Sequence, residues 1–335
     1  VVDGTSETGE GTPRRRRWWW RAALTGLCVV LLLGPAALAV VRVLGLDDGT
    51  VLALPMATLP YAALLTVPAA AVLAGLRRWV LTGLAVVLVG LQLWWLLPRV
   101  VADGAQAPAG APRLRVATSN AYMGGVSPTA LVDLVRTQRL DALAVEELSV
   151  SAAQALDAAG IRELLPHREM PAGSDTALFT RLPVTGAGDP AWPTVNVTVA
   201  VDGRPVQLVA VHTYYPLGDA RRWATGMHEL RDAAAGRSGG DAVLLGDFNA
   251  TLDHAPMRSL LATGLTDTHA ELGTGLMPTW PEHNRDFPHL PPVIQIDHVL
   301  HGRALRAVSV AEYTLAGTDH RAVVAELAVL ERNGE

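Results

Sequence analysis

Residues 242–250 read AVLLGDFNA, and this stretch decides the fold. Ala242 to Leu245 is a short apolar run of the kind that forms a buried strand, and Gly246-Asp247-Phe248-Asn249 ends it. Alternate residues of a strand point to the same side, so Asp247 and Asn249 address one small target together. Further polar groups follow or interrupt β-like apolar runs on either side. They are Asn120 after RVATS, Glu147 in ALAVEEL, His212 after QLVAV, Asp297 in VIQIDHV, and Asp319-His320 in GTDH. Hydrogen-bonding, metal-binding and proton-transferring groups gathered at strand ends are what a hydrolase site needs.

Each residue taken alone has a plainer reading. Asp247 and Asn249 fit a turn that caps the next helix. Glu147 fits a surface carboxylate, His212 a buried histidine bonded to a carbonyl, and Asp319-His320 a loop pair. Their joint order favours a site. His298 is expected on the opposite side of its strand from Asp297. His254, His269, His283 and His289 carry no signal.

Strand-like runs at 114–118, 142–145, 176–180, 195–201, 206–211, 242–245, 294–300 and 322–329 alternate with helical stretches near 128–139, 151–159, 220–235 and 256–263. Many strands with intervening helices predict two sheets packed face to face with helices outside.

The segments RVATSNAY, DALAVEEL, LVAVHTYYP, LLGDFNA, QIDHVL and GTDHRAVVAEL, in this order, resemble the endonuclease/exonuclease/phosphatase superfamily over about residues 113–330. The resemblance implies a four-layer α/β sandwich, with two packed mixed β-sheets flanked by helices, and hydrolysis of phosphoesters. It implies Glu147 as the principal Mg²⁺ ligand, with Mn²⁺ as the alternative ion, since a hard cation prefers carboxylate oxygens. Asn120 would complete that metal site, directly or through water. Asp319 would bind a second metal or support the network. Asp247 would be the general base, with Asn249 holding it or a phosphate oxygen. His320 would donate to phosphate with its ring oriented by Asp297. His212 would be a second phosphate donor or the leaving-group acid. Ser174-Asp175 stands where some relatives place a carboxylate near their histidine. One position departs from the pattern: Glu146 stands where the family usually has Gln. That carboxylate either changes the local charge or points into the strand's other face.

The chain has 335 residues, enough for one good-sized domain and an appendage. All 27 basic residues are Arg, which reflects the codon usage of a GC-rich genome before any function. The opening Val fits a GTG start codon. Cys28 is the single cysteine, which excludes an intramolecular disulfide and a thiolate metal cluster.

The first hundred residues differ in composition. Residues 22–41 run for 20 positions without a charge, residues 51–76 for 26, and residues 79–98 for 20. Each is long enough to cross about 30 Å of hydrocarbon, which predicts three transmembrane helices. Pro55, Pro60 and Pro68 make the second the least regular. A cleavable signal peptide is disfavoured because further spans follow at once. Arg14 to Arg17 precede the first span, and Arg77-Arg78 separate the second from the third. The positive-inside rule therefore predicts a cytoplasmic N-terminus over residues 1–21, spans within 22–100, a linker over 101–112 and an extracytoplasmic catalytic domain over 113–335. Trp18 to Trp20, Trp94 and Trp95 suit the interfacial belt. Arg42 and Arg99 fall on the outer side and run against the rule.

Residues 113–335 carry 18 Arg against 26 Asp and Glu, about −8. A nuclease offers a basic surface to a polyanion, so nucleic acid is an unfavoured partner. An anchored domain points instead to the bilayer, to a membrane lipid or to a lipid-linked phosphate. The Pro-rich segment 273–292, with Trp280, Phe287 and Leu290, is expected to contact lipid or shape a pocket. The whole architecture resembles the teicoplanin-resistance membrane proteins of streptomycetes, the VanJ type. That resemblance implies action on a lipid pyrophosphate of cell-wall synthesis, such as undecaprenyl pyrophosphate. Two alternatives stand beside it: an extracytoplasmic nuclease or phospholipase C-like phosphodiesterase, and a non-catalytic module that binds an envelope ligand.

Overall fold

The computed structural model describes residues 13–186, 188–236, 240–284 and 288–331. Residues 1–12 of the Arg-rich start and Phe287 lie outside them, as do the side chains of Arg14 to Arg17. The chain divides into two compact units, one of residues 13–40 and 59–94, the other of residues 41–58 and 95 onward.

The first unit draws on α1 (Pro13–Leu44), α3 (Leu59–Gly75) and α4 (Trp79–Val100); the short α2 (Ala53–Met56) belongs to the second. Residues 18–44 and 79–100 form helices long and apolar enough to cross a membrane, with mean hydropathies of 2.5 and 2.1. Leu27, Val30, Leu33, Leu64, Val67, Val80, Leu84 and Val87 are exposed, whereas Cys28, Ala69, Leu73 and Ala85 are packed inside. Buried Gln92 donates to buried Thr66 across helices at 3.1 Å. Leu73 apart, the residues packed inside are small or polar and those exposed are large and apolar.

The expected second span, 51–76, is not one helix. It breaks at residues 57–58, and only the 17 residues of α3 continue. Pro60 lies in the first turn of α3, where no intrahelical donor is lost. The residues before the break fold with the second unit: Ala53 is fully buried in a cluster with Trp223, Met227 and Met257. The second unit therefore does not begin at Arg113, as the sequence suggests, but includes 41–58 and starts its main run at Trp95.

The second unit contains β1 (Arg113–Asn120), α5 (Pro128–Gln138), β2 (Ala142–Glu146), α6 (Val150–Ala158), α7 (Ile161–Leu164), β3 (His167–Glu169), β4 (Ala177–Thr180), β5 (Val184–Gly186), β6 (Asn196–Val201) and β7 (Arg204–His212). It continues with α8 (Pro216–Ala235), β8 (Ala242–Asp247), α9 (Ala255–Leu261), β9 (Thr266–Asp267), α10 (Thr268–Glu271), β10 (Asp297–His301), β11 (Leu305–Thr314) and β12 (Arg321–Val329). Two six-stranded sheets form, in the orders β11-β12-β1-β2-β4-β3 and β5-β6-β7-β8-β10-β9. Each is mixed, with one parallel pair: β1 with β2, and β7 with β8.

Period-two alternation sends Leu114, Val116, Ala142 and Ala144 of one sheet against Leu208, Ala210, Val243 and Leu245 of the other. The opposite face of the first sheet packs Leu143, Val145 and Phe179 on Leu131, Val135 and Leu156 from α5 and α6. The second sheet sets Val209, Val211 and Leu244 on Trp223, Met227, Met257 and Leu260 from α8 and α9. Helix, sheet, sheet, helix is the expected α/β sandwich. The helices start where the sequence supplies caps: Ser127 and Ser149 side chains accept from Ala130 N and Ala152 N.

Both parallel pairs run toward the same end. β1 and β2 finish at Asn120 and Glu146, in register, and β7 and β8 at His212 and Asp247, in register. β10 starts at Asp297 opposite Asp247, and β12 starts just after His320. The polar residues of the sequence motifs thus converge on one edge of the sandwich.

Candidate active site

Asp247 sits at the centre. Gly246 just before it has φ +154°, and a Cβ there would lie 1.8 Å from Val211 O, so β7 approaches too closely for any side chain. Asp247 Oδ1 accepts from Asn249 N at 2.8 Å, in a turn where Asn249 adopts the left-handed conformation. Its Oδ2 accepts from Asn120 Nδ2 at 3.0 Å and Asn249 Nδ2 at 3.3 Å. Asn249 Nδ2 also reaches Thr213 O at 3.1 Å. The Asp247 carboxylate is therefore held by two carboxamides, those of Asn249 and Asn120.

Asn120 is oriented by the backbone just beyond β1. Its Oδ1 accepts from Tyr122 N at 2.9 Å, which turns its NH₂ toward Asp247 and toward Glu147 Oε1 at 3.1 Å. It bridges the two carboxylates. Glu147 follows β2 with φ +51°, and this turn brings its carboxylate to the edge, where Oε2 accepts from Met123 N at 2.9 Å.

The two histidines are fixed alike. His320 Nδ1 donates to Asp297, 3.0 and 3.1 Å from its oxygens, and Nε2 faces Asp247 Oδ2 and Asp319 Oδ1, each at 3.9 Å. His212 Nδ1 donates to Asp175 Oδ2 at 3.1 Å, and Nε2 faces Glu147 Oε1 at 3.9 Å. Burial opposes the charge on His320, but the field and hydrogen bond of Asp297, with Asp247 and Asp319, raise its pKa to about 10. Burial likewise opposes the charge on His212, and the Asp175 hydrogen bond with the fields of Asp247, Asp175 and Glu146 raises it to about 9. Burial first, then the facing Asp297, pushes Asp247 up to about 6, with His320 and His212 pulling it down. The site thus holds two imidazolium groups and a carboxylate that titrates near neutrality.

Asp319 is anchored by Trp280 Nε1 at 3.1 Å and Asn284 Nδ2 at 2.5 Å, both on Oδ2; its buried Oδ1 has no hydrogen-bond partner. Trp280, from the Pro-rich segment 273–292, supports this carboxylate through its ring nitrogen. Thr318 Oγ1 donates to Asn120 O at 2.6 Å and ties the Asp319 loop to β1. Asp175, only a weak signal in the sequence, is the partner of His212. His298 lies on the other side of its strand as expected, between Asp267 Oδ2 and Ala250 O at 2.9 Å each.

A divalent cation fits the donor set. Glu147, Asp175, Asp247, Asp297 and Asp319 crowd around two histidines, an excess of negative charge that a cation offsets. Asp247 and Asp297 lie with carboxylate oxygens within 4.8 Å of each other and of a His320 ring nitrogen, and with His320 protonated the carboxylates are the donors of this group. Asp319 Oδ1 is an oxygen without a partner, and Glu147 is 27 % exposed and free to face one. Oxygen-rich coordination is what Mg²⁺ or Mn²⁺ requires.

No match is found among curated proteins. Among solved structures, the chain is similar to humanized D. rerio TDP2 carrying 14 mutations, with TM-score 0.53, 16 % identity, and coverage of 65 % of this chain and 99 % of that one. It is also similar to an endonuclease/exonuclease/phosphatase from Beutenbergia cavernae (TM-score 0.51, 19 % identity, 65 % and 72 %). A third is a family protein from Bacteroides thetaiotaomicron (TM-score 0.51, 15 % identity, 66 % and 99 %). At these identities the likeness speaks to the fold alone. The model of one family spans residues 117–320, from β1 to His320. The chain belongs to the Endonuclease/Exonuclease/phosphatase family, whose enzymes hydrolyse phosphoester bonds.

Proposed function

We propose that this protein is a membrane-anchored, Mg²⁺-dependent phosphohydrolase that acts outside the cell on a lipid-linked pyrophosphate of cell-wall synthesis, such as undecaprenyl pyrophosphate. The observation that carries the chemistry is the convergence of His212 Nε2 and His320 Nε2 on the edge where Asp247 is held by Asn120 and Asn249. Asp247, near pKa 6, takes a proton from the attacking water. His320 and His212, both cationic at neutral pH, hold the nonbridging oxygens as charge builds on them. The bond to the lipid phosphate oxygen breaks, and that anion leaves with inorganic phosphate as the other product. Glu147 and Asp319 would hold the cation, which supplies charge neutralisation when bound.

The lipid reading has separate support. Met123 (73 % exposed) and Tyr215 (49 %), on the loops that follow Asn120 and His212, and Leu217 (74 %), in the first turn of α8, are large exposed side chains. The domain is acidic, which disfavours a polynucleotide. Topology rests on α3 as the third crossing. Its 17 residues lie at the lower limit for a span, and Leu64 and Val67 are exposed along it. Resistance to teicoplanin, drawn from the sequence resemblance, is the physiological role we assign.

The test is phosphate release from lipid pyrophosphates, phospholipids and nucleic acids, with and without Mg²⁺. Metal-dependent release from the lipid pyrophosphate ahead of the others is expected. Preference for a phosphodiester or for DNA would replace the reading with a phospholipase C-like or nuclease one.

A further inference from the structure

The arginines that run against the positive-inside rule are accounted for by a single carboxylate. Arg42, near the end of α1, and Arg99, near the end of α4, are 7 % and 8 % exposed, and both bind Asp253, which is fully buried. Arg99 forks onto it, with Nη2 to Oδ1 at 2.7 Å and Nη1 to Oδ2 at 2.9 Å, and Nη2 also reaches Leu252 O at 3.1 Å. Arg42 Nη1 lies 3.0 Å from Asp253 Oδ1 and donates to Asp253 O at 2.9 Å, and its guanidinium sits 4.8 Å over the Trp95 ring. Arg258 Nε reaches the same carbonyl at 3.2 Å and its Nη2 the carbonyl of Arg42 at 2.9 Å.

The neighbouring residues are gripped from the same side. His254 Nδ1 accepts from Thr251 N at 2.8 Å, which leaves Nε2 to donate to Ala53 O at 2.8 Å. Asp47 Oδ2 accepts from Ala255 N at 2.7 Å. On the other side of the loop, Thr213 Oγ1 and Trp223 Nε1 both donate to Phe248 O, at 2.6 and 3.2 Å. The segment that leaves Asp247 is therefore clamped between the β7–α8 connection and residues 42–53 and 99.

We propose that Asp253 is a positioning residue through which Arg42 and Arg99 hold the 248–254 loop, and with it Asp247 and Asn249, in the geometry that hydrolysis needs. A buried ion pair adds little net stability, because desolvation offsets the attraction, yet removal of one partner leaves an unpaired buried charge. Its value lies in direction: a forked arginine fixes both position and orientation of a carboxylate. That carboxylate lies six positions after the base, and displacement of a catalytic group by about 1 Å costs roughly 10²-fold in rate. The inference rests on the catalytic reading of Asp247 and not on the identity of the lipid.

The experiment uses the full chain in detergent with Mg²⁺. It measures kcat and KM on bis(p-nitrophenyl) phosphate and a lipid pyrophosphate, and amide hydrogen exchange at 248–254 against the core strand 322–328. Asp253→Asn and Arg99→Gln are expected to lower kcat roughly 10- to 100-fold with KM little changed. They are expected to speed exchange at 248–254 alone. Arg99→Lys, which keeps the charge and loses the fork, is expected to fold like wild type and fall between the two; it decides the matter if the other variants do not insert. Wild-type kcat in a variant whose unfolding midpoint drops would mean that the cluster only stabilises the fold, and would overturn the proposal. Exchange at 248–254 unchanged in the variants would overturn it equally. If wild type hydrolyses neither ester, the catalytic reading fails by itself, and the exchange data alone decide whether Asp253 orders the loop.

Discussion

Replacement of Asp297 by Asn tests the electrostatic account of the site most directly. Asp297 is fully buried, lies 3.0 Å from His320 Nδ1, and faces Asp247 across the β8–β10 pair. At an effective dielectric constant near 20, two unit charges 3–4 Å apart attract by about 4–5 kcal/mol. At 1.36 kcal/mol per pH unit this is roughly three units. His320 should therefore fall from about 10 toward neutrality, where burial, which opposes its charge, is no longer outweighed. Asp247 should fall below about 6, because the like charge opposite it is gone. Both limbs of the pH–rate profile then move to lower pH together, and at pH 8 the variant should lose roughly tenfold from the histidine term alone. Stability follows by linkage. A histidine raised to about 10 contributes stability that is fully present below its unfolded value near 6.5 and lost as pH rises through 10. The variant should lose that dependence between pH 7 and 10. The assay is kcat over pH 5 to 10 with the His320 ring titrated by NMR. An alkaline limb that stays above pH 9, with only the amplitude reduced, would refute the reasoning.

The remaining expectations concern the metal, the neighbouring glutamate, topology and role. Glu147→Gln should lower activity by roughly 10²–10⁴-fold with partial recovery in excess Mg²⁺, and undiminished turnover of wild type after exhaustive chelation would exclude the metal reading. Glu146→Gln should keep both kcat and the shape of the pH profile; a shift of the acid limb would mean that Glu146 is ionised at work. A reporter after residue 331 should be active outside the cell and one in the Arg77 turn inside, and the reverse at the C-terminal end would remove α3 as a crossing. Asp247→Asn should abolish both phosphate release and protection from teicoplanin at equal expression, so protection without hydrolysis would favour a binding module.

The strand ends were legible because two local signals coincide there: an apolar run of period two, and polar residues that cannot continue it. This holds for β1, β7, β8 and β12, whose ends carry Asn120, His212, Asp247 and His320. It fails for β11, ten residues long, where LRAVSVAEYT buries little beyond its first three residues and so shows no clean alternation. β3 and β5 are short edge strands with mostly exposed side chains and leave no hydrophobic trace. Asp175 was faint because it precedes β4 in a loop, and its meaning comes from His212, 37 positions away. The break in the second apolar segment is equally hidden from hydropathy: Ala53 is as apolar in a protein core as in lipid. Arg42 and Arg99 were legible only as exceptions, since their partner lies 211 and 154 positions along the chain.

Glu146 shows how a departure in sequence need not be a departure in chemistry. The sequence left two readings, an added charge at the metal or a side chain turned to the strand's other face. The backbone does not turn it away: Val145 packs toward α5 and α6, Ala144 toward the opposite sheet, and Glu146 shares the side of Ala144, in register with Asn120 and beneath the site. There it is fully buried, with Oε1 accepting from Thr118 Oγ1 at 2.8 Å and Oε2 without a partner. Burial raises its pKa well above the ordinary value, and the fields of Asp297 and Asp247 add to that, against the Thr118 bond and His212. An ionised carboxylate with an orphaned oxygen is costly in such a place, whereas the protonated acid is neutral and has nearly the shape of a carboxamide. Burial thus favours the neutral acid at a position that usually holds Gln. Glu147, one residue on, leaves the strand through its left-handed turn, which carries its carboxylate to the edge beside Asn120 and Met123.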